Sequence, residues 1–258
     1  MNTDTESKSM SQLKNKQVIM RQDATNSMDA SSEQVAREHS AARRTQPPVG
    51  SRRQGQFIKW SGLTAVVWPV LFVLLFTVAG FLRPSYSPVS QAVSDLGVGP
   101  MAWLLNVPTV ILGLVMIALA IGFFQATQPI LSPAWRWIAA ILIAVPGFGY
   151  IVGGFFTEDP ATLQIHWVFG AMLGLYFPVI TFFVVGLLLL THRVRGYGIY
   201  SLITAVTTMA AIVVTSLAFW PGSALYGLQV SGLAERVDLV VILSWYVVIG
   251  WRLYRAPL

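Results

Sequence analysis

The order of apolar and polar positions along the chain predicts a helical membrane protein. Six apolar segments, near 60–82, 101–124, 135–155, 162–190, 197–220 and 232–253, are separated by short polar stretches. At about 1.5 Å of rise per residue, each is long enough to span about 30 Å of hydrocarbon. Trp60, Trp103, Trp135, Trp137, Trp167, Trp220 and Trp251 fall close to segment ends, where amphipathic rings sit at a membrane interface. Pro69, Pro108, Pro146 and Pro178 fall inside segments, so kinks are expected. Gly149 and Gly153 in the third segment, and Gly170 and Gly174 in the fourth, form two GxxxG motifs. A short outer turn joins these segments, so the motifs are expected to face one another. No internal repeat is visible.

The stretch Pro84–Pro100, PSYSPVSQAVSDLGVGP, departs from this pattern. Ser87 is a good N-cap, Pro88 suits the first helical position, and Gly97 suits a left-handed end. Val89, Ala92, Val93 and Leu96 make one apolar stripe, with Ser90, Gln91, Ser94 and Asp95 on other sides. The reading is a short amphipathic helix on the outer face between helices 1 and 2, its polar side towards the bundle centre.

Residues 1–56 are rich in Ser, Thr, Gln and basic residues and almost free of aromatics. Such a composition buries too little apolar area to offset ordering entropy, so a disordered cytoplasmic tail is expected, followed by a six-helix domain over 57–258. It lacks the apolar core of a signal peptide.

The chain is 55% hydrophobic and 11% charged, which is not the profile of a soluble domain. Its net charge of +6 suggests membrane topology rather than nucleic acid. Fifteen of the seventeen basic residues fall on one side; only Arg83 and Arg236 fall on the other. Both termini are therefore expected in the cytoplasm of a multi-pass protein of the cell membrane. With no cysteine, disulfides, thiol catalysis and cysteine-ligated metals are excluded.

Outside the tail the acids are Asp95, Glu158, Asp159, Glu235 and Asp238, all in outer loops or at outer helix ends. The third-to-fourth turn reads FFTEDPATLQIHW; Asp159 before Pro160 is a helix-start signature, and His166 lies about two turns on. The last segment opens SGLAERVDLVV, with Glu235 and Asp238 on one face and Arg236 turned elsewhere. Charges at that depth need partners, and Asp95 or Asp159 is the expected partner of Arg236.

SPVSQAVSDLGVGP, FTEDP with its following His, and GLAER together resemble the domain of unknown function 998 family. The resemblance covers roughly residues 60–255. It implies a six-helix membrane fold and no activity. On the positions matching these motifs, Ser90, Ser94, Asp95, Asp159, His166, Glu235 and Arg236 are expected to converge as an outer polar cluster.

Three functions suit such a cluster. The first is structural, or the binding of a lipid headgroup or small ligand, where Arg, His, serines and helix N-termini favour phosphate or carboxylate and the nearby acids oppose it. The second is a membrane-embedded hydrolase using Ser, Asp and His, or a metal held by His166, Asp95 and Asp159. One histidine is few for zinc, and no G-x-S-x-G elbow is present. The third is a transporter or proton-coupled channel, for which the apolar segment centres offer no relay. The bilayer is the expected partner and no cofactor is called for; oligomeric state stays open.

Overall fold

All regular structure among the described residues is helical. The computed structural model describes residues 49–192 and 194–255, and the expected disordered tail, up to residue 48, lies outside them. The helices are α1 (Val49–Leu82), α2 (Trp103–Ala126), α3 (Pro133–Phe155), α4 (Leu163–Thr191), α5 (Arg195–Phe219) and α6 (Ser231–Arg255). α1 starts ahead of Phe57, the expected start of the domain. α1 to α5 are each long and apolar enough to cross a membrane. α6 is not among these; its first two turns carry Glu235, Arg236 and Asp238.

Helices adjacent in sequence from α2 onwards pack side by side, as short connections require, and α6 also touches α2. The centre is aromatic: Phe182 of α4 stacks on Trp245 of α6 at 4.6 Å between ring centroids, and the indole donates to Ser201 Oγ of α5 at 2.8 Å. The seven tryptophans expected at segment ends are all exposed, whereas Trp245 is fully buried. That division is the one a bilayer-facing surface needs.

The GxxxG motifs face one another. A Cβ on Gly149 would stand 2.5 Å from the Gly174 nitrogen, and one on Gly170 would stand 3.0 Å from the Gly153 Cα. α3 and α4 therefore meet backbone to backbone, a contact that any side chain would push apart.

Two prolines shape the bundle. Pro146 has no N–H to offer Leu142 O, and the Thr181 hydroxyl of α4 donates to that carbonyl instead at 2.7 Å. Ahead of Pro178, α4 is π-helical from His166 to Tyr176, and the Phe177 N–H reaches back five residues to Met172 O. A proline ring clashes with the carbonyl four residues before it, and a wider turn relieves that clash.

The amphipathic helix expected between α1 and α2 does not form. Ser87–Gln91 makes one capped turn: the Ser90 N–H donates to Ser87 Oγ, the Gln91 N–H to Ser87 O, and the Ser87 N–H to Gln91 Oε1. A 3-10 turn follows at Ser94–Gly97. Ala92, Val93 and Leu96 are buried as the stripe requires, but Val89 is 49% exposed. Gly97 is not the left-handed residue; Gly99 is, at φ +83°. Gly97 serves close approach, since a Cβ there would stand 2.7 Å from Asn106 Oδ1.

Helix propagation fails because the carbonyls it needs are already taken by α6. Pro88 O accepts from Arg236 Nη1, Val89 O from the Leu233 N–H, Ser90 O from Ser231 Oγ, and Gln91 O from Arg236 Nη1. The matching donors are diverted too. The Ala92 N–H goes to Asp95 Oδ2 and the Val93 N–H to Glu235 Oε2.

Candidate functional site

The polar residues at the end of the bundle that carries Ser87–Gly97 divide into a clamp and a cavity. The clamp joins the α1–α2 loop to the start of α6. A helix leaves its first N–H groups without partners, and here the loop carbonyl of Val89 takes one of them. Gly232 lies against the Gln91 peptide so closely that a Cβ would collide with its carbonyl oxygen. The ion pair expected between Arg236 and Asp95 or Asp159 does not form. The planar fork of Arg236 instead serves Pro88 O at 2.8 Å, Gln91 O at 3.2 Å, Gly232 O at 2.9 Å and the Tyr86 hydroxyl at 2.5 Å. A carbonyl row offers several partial charges at fixed spacing, which suits a rigid five-donor group. Burial raises the pKa of Tyr86, against the Arg236 contact. Ser90 belongs to the clamp through its carbonyl alone.

The cavity lies beneath the clamp, with a volume of about 370 Å³. Ser94, Glu158, His166, Glu235 and Asp238 are among its lining residues. Glu235 is 6% exposed and forms part of the roof through its bond to the Val93 N–H at 2.7 Å. The Glu158 carboxyl lies near both Ser94 and Asp95. His166 Nδ1 lies 2.8 Å from Phe156 O, and its Nε2 lies 3.7 Å from Glu158 Oε1. A carbonyl accepts only, so Nδ1 carries the proton and Nε2 faces the carboxyl.

Of the residues expected to converge, Ser94, His166 and Glu235 line the cavity, Asp95 stands behind Glu158, and Ser90 and Arg236 build the clamp. Asp159 stands apart: it is exposed and accepts the Ala161 N–H at 3.0 Å, the role of a local cap. Glu158 takes the inward place. The Asp–Pro pair held a usable signal here, because a carboxylate committed to its own main chain leaves its neighbour to face inward. Tyr150, Thr215 and Asn106 also line the cavity, and nothing in the apolar spans marked them.

The chemistry available follows from the order of groups. Glu158 stands between the Ser94 hydroxyl and the imidazole, giving Ser–carboxyl–His. A nucleophile–base–orienter set needs the histidine in the middle. Among the described residues no three His, Asp or Glu are grouped to hold a metal ion, and His166, Asp95 and Asp159 do not meet.

The family description "protein of unknown function (DUF998)" matches residues 66–252, which include α2 to α5, the clamp and the cavity. The chain belongs to the DUF998 family. No curated protein and no solved structure matches it. Membership in DUF998 agrees with the resemblance of its three motifs, and these are the segments that build the clamp and the cavity rim.

Two outcomes are expected. Burial raises the Glu158 carboxyl above its usual 4.5, Asp95 adds to the rise, and the Ser94 hydroxyl and His166 oppose it. An acid raised in the fold costs nothing below its unfolded value; it destabilises increasingly as pH climbs from about 4.5 through its elevated folded value. The melting temperature of the purified protein should fall across that window, and Glu158→Gln should flatten the fall. Equal slopes would mean that the carboxyl is solvated. Arg236→Ala leaves the Pro88 carbonyl without its donor and the Gln91 carbonyl with the Tyr86 hydroxyl alone, and should cost about 2–3 kcal/mol. It should also speed amide exchange over residues 89–96 more than tenfold, with Arg236→Lys recovering only part. Unchanged exchange would remove the clamp from the account.

Proposed function

We infer that the protein is a six-span membrane protein, both termini cytoplasmic, that binds a lipid headgroup or small ligand in its outer cavity. One observation carries the binding reading. Asp238 Oδ1, Tyr150 OH and Thr215 Oγ1 are buried without a hydrogen-bond partner, and all three residues line the same volume. Buried polar atoms are rarely left unmatched, because each lost hydrogen bond to water costs free energy. Three such atoms around one space suit an occupant that supplies the missing partners. A volume of about 370 Å³ falls within the range of ligand pockets, about 300–1,000 Å³.

The topology rests on charge and length. α6 has 25 residues, about 37 Å at 1.5 Å each, enough to span. Its acids lie in its first turns, beside the outer loop, so its remaining length is free to cross as an apolar helix. The fifteen basic residues on the opposite side suit the cytoplasm.

A chain without cysteine makes topology readable by single-cysteine labelling. In intact cells a membrane-impermeant maleimide should label Ala161→Cys, and should label Gln128→Cys only after permeabilisation. The reverse pattern would invert the orientation. For binding, native mass spectrometry of protein purified in a mild non-ionic detergent should show a co-purified species. Ala171→Trp, which fills the cavity from α4, should lose it. A bare wild-type mass, or a species retained by the variant, would count against the cavity as a binding site.

A further inference from the structure

The cavity is acidic, and it reaches the side of the bundle. Glu158, Glu235 and Asp238 line it, and among the described lining residues His166 supplies the basic nitrogen. The outer arginines are directed elsewhere, Arg236 into the clamp and Arg83 to Asp95 O. The anion favoured by the motifs alone therefore loses its cationic partner. Asp238 is the deepest of the acids along α6 and is 1% exposed, with Oδ1 unmatched. A carboxylate in such a place is costly unless a cation joins it. An ammonium group supplies both the charge and up to three donors, which the hydroxyl oxygens of Tyr150 and Thr215 can also accept. A carboxylate or phosphate would meet repulsion from the same wall.

The second observation is independent of charge. Trp167 on α4 and Trp220 at the end of α5 both line the cavity, yet they are 41% and 62% exposed on the outer surface of the bundle. α4 packs along α5 from Pro178 to Thr191, whereas its π-helical part makes far less contact with α5. Tyr176 OH and Ser216 Oγ, 3.0 Å apart, mark where the two helices part. Beyond that point the cavity wall is an aromatic seam exposed on the side of the bundle. The inner walls are apolar, including Phe72, Leu105, Ile212 and Leu239.

We propose that the cavity binds an amphiphile with an ammonium head, the head at Asp238 and the tail leaving between α4 and α5 past Trp167 and Trp220. This rests on the cavity being a ligand site. A free long-chain amine and an amino-headed phospholipid share the required chemistry.

The test uses the full chain in non-ionic detergent, with dodecylamine and dodecanoate as probes of equal tail and opposite charge. Dodecylamine should bind at least tenfold more tightly than dodecanoate, read by ligand-induced melting shift and by native mass spectrometry. Asp238→Asn should abolish that preference. If Asp238→Asn does not fold, the wild-type comparison and loss of dodecylamine binding in Ala171→Trp carry the test. Phosphatidylethanolamine that displaces dodecylamine, where phosphatidylglycerol does not, assigns a lipid source; dodecylamine binding untouched by either assigns a free amine; both outcomes uphold the proposal. Equal binding of the two probes, or a preference kept in Asp238→Asn, overturns the ammonium head while leaving the cavity a ligand site. Failure of both probes overturns it likewise, and if the wild-type chain also carries no co-purified species, the binding reading falls with it.

Discussion

Four consecutive loop carbonyls, Pro88 to Gln91, and the first two turns of α6 hold one end of this protein in place. The exchange answers two needs at once. A loop at a membrane interface must satisfy main-chain acceptors that water reaches poorly, and a helix start must satisfy main-chain donors that have no partner of their own. Arg236 adds a charge held by dipoles rather than by an acid. A buried ion pair must offset the desolvation of two charges; a cation on carbonyls and a phenol desolvates one.

The clamp fixes the roof of the cavity beneath it. Glu235 leaves α6 to take the Val93 N–H, and this sets the turn that carries Ser94 and Asp95. Those two residues meet Glu158 from the α3–α4 turn, and Glu158 meets His166. On the opposite wall, the Gly149–Gly174 crossing draws α3 and the π-helical part of α4 together. The cavity is thus bounded above by polar bonds and at the side by backbone contact. Between them lie polar atoms that the protein itself leaves unmatched.

The helical fold was legible because its signal is strong and repeated. Long apolar blocks, interfacial tryptophans and the paired GxxxG motifs each report one-dimensional constraints that the bilayer imposes. The segment 87–97 misled for a physical reason. Its cap, proline and apolar stripe are those of a helix, and the first turn does form. Local propensity is worth only tenths of a kcal/mol per residue, so bonds to α6 override it. Likewise Asp159 read as the outer acid because Asp–Pro is conspicuous, whereas facing inward leaves no periodic trace in a short turn.

The sequence by itself determined the class of the protein, the positions of its helices and the gathering of the acids outside the tail at one end, since hydropathy and residue order act over whole segments. Only the tertiary structure decided which of those residues meet: Glu158 rather than Asp159 beside His166, carbonyls rather than carboxylates around Arg236, and Tyr150, Thr215 and Asp238 unmatched along one cavity. The reason is one of scale. Partition into a membrane sums over some twenty residues and survives local error, whereas a hydrogen bond turns on a few tenths of an ångström and on which of two adjacent side chains points inward.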